Sequence, residues 1–167
     1  MKYNTVAMGG TFDHLHKGHV ALLTKSFSLG DLVLIGVTSD DFASRQGKVP
    51  DQSYLERVEA LEGFLRLKFP GRKYIIAKLD DYFGPGIASP AVDAIVVTRE
   101  TAVRVPIANR LRKAKGYPPL AVEVVGHVLA ADGRPISSTR IRRCEIDAEG
   151  RILRPAPRDE TPDPRKG

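Results

Sequence analysis

Apolar residues in this chain gather in five short runs rich in branched side chains, at residues 3–8, 31–38, 74–79, 93–98 and 120–130. The second and fourth are near-continuous instead of alternating, the pattern of strands buried on both faces of a parallel sheet. Between the runs the apolar period lengthens to that of a helix. Val20, Leu23 and Phe27 predict a helix over 18–29, with Gly30 as its C-terminal stop. Ser53 and Glu56 have the spacing of a capping box ahead of a buried stripe of Leu55, Val58, Leu61 and Leu65. Pro106 suits the first turn of another helix, whose inner stripe would be Ile107, Leu111 and Ala114, closing at Gly116. Residues 39–53 and 80–91 carry glycine and proline and read as loops, the first with a helical turn near 41–44, the second with at most a short helix. Asp132-Gly133 makes a turn, and residues 137–143 begin a last helix.

Strands alternating with helices predict a single α/β domain around a parallel sheet, with helices on both faces. Right-handed crossovers put the segments that follow the strands at one edge, where ligands of such sheets bind. Residues 9–19, 38–48, 98–104 and 131–139 would meet there.

Composition narrows the class. A length of 167 residues with 42 % apolar and 28 % charged residues fits one globular domain with a proper core. No run approaches the roughly 20 apolar residues of a membrane span, and strand-like sequence at residue 3 leaves no room for a secretory leader. A single cysteine, Cys144, excludes an internal disulfide and fits a reducing cytoplasm. The net charge of +6 is concentrated: six basic residues against Glu100 alone over 99–115, and four with no acid over 134–143. Such clusters suit a polyanionic ligand, although solvated helix faces would look the same. Nucleic acid is disfavoured, because 99–115 contains no aromatic residue for base stacking and the chain has no tryptophan.

Two stretches carry candidate chemistry. Residues 9–19 read Gly-Gly-Thr-Phe-Asp-His-Leu-His-Lys-Gly-His, between the first strand and the first helix. Glycines let backbone approach a ligand, and the unpaired N–H groups of a helix start attract anions. His16 and His19 stand three residues apart, so both can face one side of the first turn. As metal ligands they lack partners in zinc-like spacing, since only His14, His127 and Cys144 remain as nitrogen and sulfur donors. They could simply cap the helix; phosphate binding fits the local backbone better. The second stretch, Ile136-Ser137-Ser138-Thr139-Arg140-Ile141-Arg142, puts three hydroxyls and two arginines at another helix start. Alone it is an ordinary capped helix; paired with the first it describes a second phosphate site.

Gly-Thr-Phe-Asp-x-x-His-x-Gly-His together with Ile-Ser-Ser-Thr-x-x-Arg resembles the nucleotidylyltransferase superfamily with its His-x-Gly-His signature. Length and intervening segments are most similar to the archaeal and eukaryotic phosphopantetheine adenylyltransferases, over about residues 3–155. That resemblance implies a Rossmann-like domain over 1–155 with strand order 3-2-1-4-5, followed by a disordered tail at 156–167. It implies reversible adenylyl transfer from ATP, with Mg2+, to 4′-phosphopantetheine, giving dephospho-coenzyme A and pyrophosphate, in a cytoplasmic monomer or small homo-oligomer. Relatives that accept nicotinamide mononucleotide, flavin mononucleotide, glycerol phosphate or phosphocholine keep other acceptors open. A non-catalytic nucleotide sensor on this fold would not need both histidines.

The roles implied are residue by residue. His19 would stabilise the transition state at the α-phosphate, and His16 would bind the neighbouring phosphates. Gly9, Gly10, Thr11 and Phe12 would line the nucleotide, with Thr11 orienting the attacking phosphate. Ser137, Ser138 and Thr139 would hold the β- and γ-phosphates, helped by Arg140 or Arg142. Arg99 would contact phosphates, and Lys48, or Arg45 in the same loop, would grip the acceptor phosphate. The bacterial enzymes carry an Arg-Gly-Leu-Arg run after the fourth strand. Thr98-Arg99-Glu100-Thr101 stands here, so Arg99 alone carries over.

Overall fold

All five apolar runs form strands of one sheet. The computed structural model describes residues 1–82 and 84–154, with positions 85 and 87 as backbone only. The expected tail at 156–167 lies outside the described residues. In chain order the elements are β1 (Tyr3–Gly10), α1 (Lys17–Leu29), β2 (Gly30–Thr38), α2 (Asp40–Arg45), α3 (Tyr54–Lys68), β3 (Lys73–Leu79) and α4 (Gly84–Ala88). Then come β4 (Ala94–Thr98), α5 (Arg99–Ala102), α6 (Val105–Ala114), β5 (Ala121–Val125) and α7 (Ser138–Arg142). The strands are parallel in the order β3-β2-β1-β4-β5, as the resemblance implied. The order reverses between β1 and β4, which puts the switch point, and the natural ligand crevice, at the end of β1.

Alternate strand residues separate two cores. Val6, Met8, Val33, Ile35, Val37, Ala94 and Val96 face α1 and α3, packing on Leu23, Phe27, Leu61 and Leu65. Ala7, Leu34 and Ile95 face the other way, towards Val92 and Leu120, beneath α4 and α6. The first core is dense; the second leaves a cleft.

Several local expectations need correction. Gly30 does end α1, as its C-cap, but without a left-handed turn. Its φ is −115° and it opens β2 directly; glycine fits because a Cβ would stand 2.8 Å from Val6 Cγ2. The Ser53–Glu56 capping box forms, but Leu55 in the predicted stripe is 70 % exposed while Arg57 is fully buried. In α6 the predicted stripe turns outward: Ile107 and Leu111 are each 42 % exposed and Ala114 is exposed, while Val105, Ala108 and Arg112 are buried. Arg112 takes the inward position because its guanidinium donates to the carbonyls of Gly86, Ser89, Val92 and Pro118. It thereby joins the segment that leads into β4 to the one that leads into β5, and a buried cation with satisfied donors is tolerated.

The run 120–130 is not one strand. Its partner β4 ends at Thr98, opposite Val125, so pairing stops there. Residues beyond turn back through a Leu129–Pro135 bridge into a small core of Ala130, Ile136 and Ile146. The 4-residue helix α5, capped by Thr98 and Thr101, went unforeseen.

Candidate active site

β1 delivers the chain to the switch point and α1 leaves from it. His16 is the N-cap of α1, and its Nδ1 accepts a hydrogen bond from the Gly18 N–H at 3.0 Å. His19, one turn on, accepts the His16 N–H on its own Nδ1 at 3.2 Å. This is a capping box built from imidazoles. With both Nδ1 atoms accepting, each neutral ring carries its proton on Nε2, a donor for an anion. The rings stack with centroids 3.8 Å apart, and Phe12 packs 5.1 Å from His19 on the far side. Gly18 is required sterically, since a Cβ there would come within 2.8 Å of the His16 ring.

The environment keeps both rings uncharged. Burial pushes His16 down to about 4, with His14 adding a smaller effect. Burial pushes His19 down to about 3, with His16 contributing less. At neutral pH the α1 start therefore offers two neutral, fixed imidazole N–H donors at the positive end of a helix.

The turn that presents them is strained and braced. Phe12 and His14 have φ of 57° and 49°, where bulky residues are rarely found. Asp13 between them is fully buried, accepting the N–H groups of Asp51 and Gln52, each at 3.1 Å, and Arg142 Nη1 at 2.8 Å. Arg57 reaches in from α3, donating to the Thr11 carbonyl at 2.6 Å, the Gln52 carbonyl and the Asp40 carboxylate. Asp40 is held below the usual carboxylate range mainly by that arginine. One carboxylate and one guanidinium thus tie the 9–19 turn to the loop before α3.

The second predicted helix start lies against the first. Ile136 O is 3.9 Å from where a Gly18 Cβ would stand. Ser137 caps α7, accepting the Arg140 N–H at 3.2 Å. Ser138 Oγ donates to the Asp13 carbonyl at 2.6 Å, and Thr139 Oγ1 accepts from Arg142 Nη2 at 3.1 Å. Arg140 points away from α1, paired with Asp132 and Glu145. Hydrogen bonding from Arg140, with help from Arg134, holds Asp132 down to about 2. Of the two arginines left open, Arg142 reaches the shared centre, and Arg140 braces the 131–145 loop.

Under the glycine turn, on the thinner face of the sheet, lies a cleft of about 220 Å³. Ala7, Phe42, Leu79, Ile95, Val105 and Ala108 make it apolar, while Thr11, Thr38, Lys48 and Arg104 supply polar groups. Gly9, Gly10 and Thr11 border both cleft and α1 start. Lys48 lines the cleft, whereas Arg45 in the same segment donates to the Asp80 carbonyl. Arg99 is exposed at the start of α5 and does not line it. Arg104, which sequence reasoning missed, does, with its guanidinium 3.4 Å from the centre of the Tyr82 ring. Asp13, Arg57 and Thr38 were also missed. Asp13 stands inside the quoted motif, but nothing in a lone sequence marks Arg57 as buried.

A metal has little to bind. Among the described residues Asp13, His14 and Asp51 bring donor atoms together. Both Asp13 oxygens already accept N–H groups, one of them also from a guanidinium, and a cation beside Arg142 would be repelled.

With two polar helix starts meeting at the switch point of a parallel 3-2-1-4-5 sheet, the chain belongs to the cytidylyltransferase-like family of nucleotidyltransferases, which it matches over residues 7–144. It is 44 % identical to the phosphopantetheine adenylyltransferase of Methanothermobacter thermautotrophicus, covering 92 % of each chain. It is 42 % identical to the phosphopantetheine adenylyltransferase of Methanopyrus kandleri, over 87 % of this chain and 92 % of that one. Within the family it therefore stands among the archaeal phosphopantetheine adenylyltransferases. A protein of unknown function from Archaeoglobus fulgidus shares the fold with a TM-score of 0.65 at 29 % identity, covering 72 % of this chain and 88 % of that one.

Proposed function

We propose that this enzyme transfers the adenylyl group of ATP to 4′-phosphopantetheine, releasing pyrophosphate and forming dephospho-coenzyme A. The observation that carries the reading is the pair of fixed, neutral Nε2–H donors at the α1 start, between the apolar cleft and the α7 start.

The acceptor's phosphate oxygen attacks the α-phosphorus in line. A new P–O bond forms as the bond from the α-phosphorus to the bridging oxygen breaks, and that electron pair leaves on pyrophosphate. No group on the protein has to be a nucleophile; positioning and charge stabilisation suffice. His19 donates to the α-phosphate oxygens as charge builds there, and His16 to the neighbouring phosphates. Backbone N–H groups at the starts of α1 and α7 add fixed positive ends. Ser137, Ser138 and Thr139 receive the outgoing pyrophosphate, and Arg142 supplies charge. Arg140 acts on them indirectly, by holding their loop.

The acceptor arm lies in the apolar cleft, with its phosphate at Thr11 and Lys48. Arg104 lines the same cleft and is the better candidate there than Arg99 for a second cation. Mg2+ enters as the counter-ion of ATP and lowers the charge on its phosphates. The saturated Asp13 carboxylate supports a substrate-borne ion over a resident one. A cytoplasmic setting accords with the free Cys144 and with the lack of any helix long and apolar enough to cross a membrane among the described residues.

Pyrophosphate release with Mg-ATP and each acceptor in turn tests the reading. Phosphopantetheine should support turnover, and nicotinamide mononucleotide, flavin mononucleotide and glycerol phosphate should not. Turnover with one of those and none with phosphopantetheine would overturn the acceptor.

A further inference from the structure

Thr38, the last residue of β2, lines the cleft yet belongs to none of the recognised motifs. Its residue exposure is 6 %, and its Oγ1 is the one buried side-chain polar atom without a hydrogen-bond partner among the described residues. Buried hydroxyls are almost always paired, so an orphan in a ligand cleft calls for an explanation. Its placement is not an accident of a loose loop. Strand alternation turns residue 38 to the cleft side, and the neighbouring Ser39 is pinned by its N–H to the Leu79 carbonyl at 2.8 Å. The register pairs Gly10 with Val37 at the strands' carboxyl ends, and the residues that follow each, Thr11 and Thr38, both line the cleft. The surrounding wall is apolar, from Ala7, Phe42, Leu79 and Ile95. A valine would fill the same volume without an unpaired hydroxyl.

We infer that the Thr38 hydroxyl reads a neutral polar group of the acceptor arm, a hydroxyl or an amide close to its phosphate, and so helps to set acceptor specificity. This rests on the transfer proposed above. Threonine can both donate and accept, which suits such a group. Thr11 and Lys48 are left to take the phosphate, and Thr38 takes the first polar atom inside the cleft. Sites that hydrogen-bond a buried substrate group discriminate strongly against analogues that lack it. An apolar cleft alone would select only by size.

The test compares wild type with Thr38→Val and Thr38→Ser, by calorimetric titration and by steady-state kinetics. Thr38→Val should weaken phosphopantetheine binding about tenfold, which corresponds to about 1.4 kcal/mol, and leave ATP affinity unchanged. Pantetheine without its phosphate, as a competitor, should lose affinity by the same factor. Thr38→Ser, which keeps the hydroxyl, should restore most of the binding. The melting temperature of Thr38→Val without substrates should be equal or higher, since removing an unpaired buried hydroxyl costs nothing. A lower melting temperature with unchanged phosphopantetheine affinity would make Thr38 merely structural and overturn the inference. So would a loss seen with phosphopantetheine but not with pantetheine, which would make it a phosphate contact. Absence of phosphopantetheine turnover in the wild type would instead strike the underlying reading.

Discussion

The two helix starts that meet at the switch point are built in opposite ways. The 13-residue α1 begins with buried imidazoles that cap each other's backbone and stay neutral. The 5-residue α7 begins with serines and is held by charge, through Arg142 to Asp13 and Arg140 to Asp132 and Glu145. One start has its donors fixed by burial, the other by ion pairs. The α1 start has the features wanted where charge develops during reaction, with dry, preorganised donors. The α7 start suits a site that must hold a polyanion and then release it.

Asp13 joins the two, and removing it is the harshest test. Asp13→Ala strips Arg142 and two backbone N–H groups of their acceptor. Breaking one side of such a buried pair costs about 3–5 kcal/mol, to be read from urea unfolding. A loss under 1 kcal/mol would mean that the two starts are not coupled through this carboxylate. His19→Ala comes next. It should lower kcat by about 10²–10³, with a folded protein by circular dichroism; near-normal turnover would remove His19 from the chemistry. Ser137→Ala removes the α7 cap and should cost only about 1 kcal/mol of stability. Its larger effect should be on ATP affinity, measured by titration; unchanged affinity would separate α7 from the phosphates.

The mildest test is pH, and the two starts should answer in different windows. Unfolded histidines take up protons near 6.5, whereas folded His16 and His19 do so only at about 4 and about 3. The folded state therefore binds fewer protons between these values, and their contribution to stability, complete above pH 6.5, falls as pH drops towards 3. Asp132 is also depressed, from 3.8 to about 2, so the brace around α7 is complete above pH 4 and is lost as pH falls through 2. Proton resonances of the imidazoles, followed with pH, should give midpoints well below 6. A midpoint near 6.5 for either ring would mean that it is not buried as described.

Much of the fold was legible because its strands are continuous apolar runs and its loops are marked by glycine and proline. The two helix starts were legible as a pair, His16 and His19 around Gly18 in one and three consecutive hydroxyls in the other, since each alone reads as an ordinary cap. What escaped was the set of buried charges. Arg57 and Arg112 sit where the pattern called for leucine, and they displaced Leu55, Ile107 and Leu111 to the surface. Periodicity counts apolar side chains, and it cannot see that a guanidinium with carbonyls converging on it is at home in a core. Thr38 escaped for a similar reason, as β-branched threonine is ordinary at the end of a strand.

The Asp13–Arg142 contact spans 129 positions of the chain. Every strand of the sheet is already in place by Val125, so a growing polypeptide has the framework for its dense core before α7 has been made. Synthesis thus finishes the scaffold first and the second half of the proposed site last, and a chain cut short at residue 130 would keep the strands and His-x-Gly-His but lack the serines proposed to receive pyrophosphate.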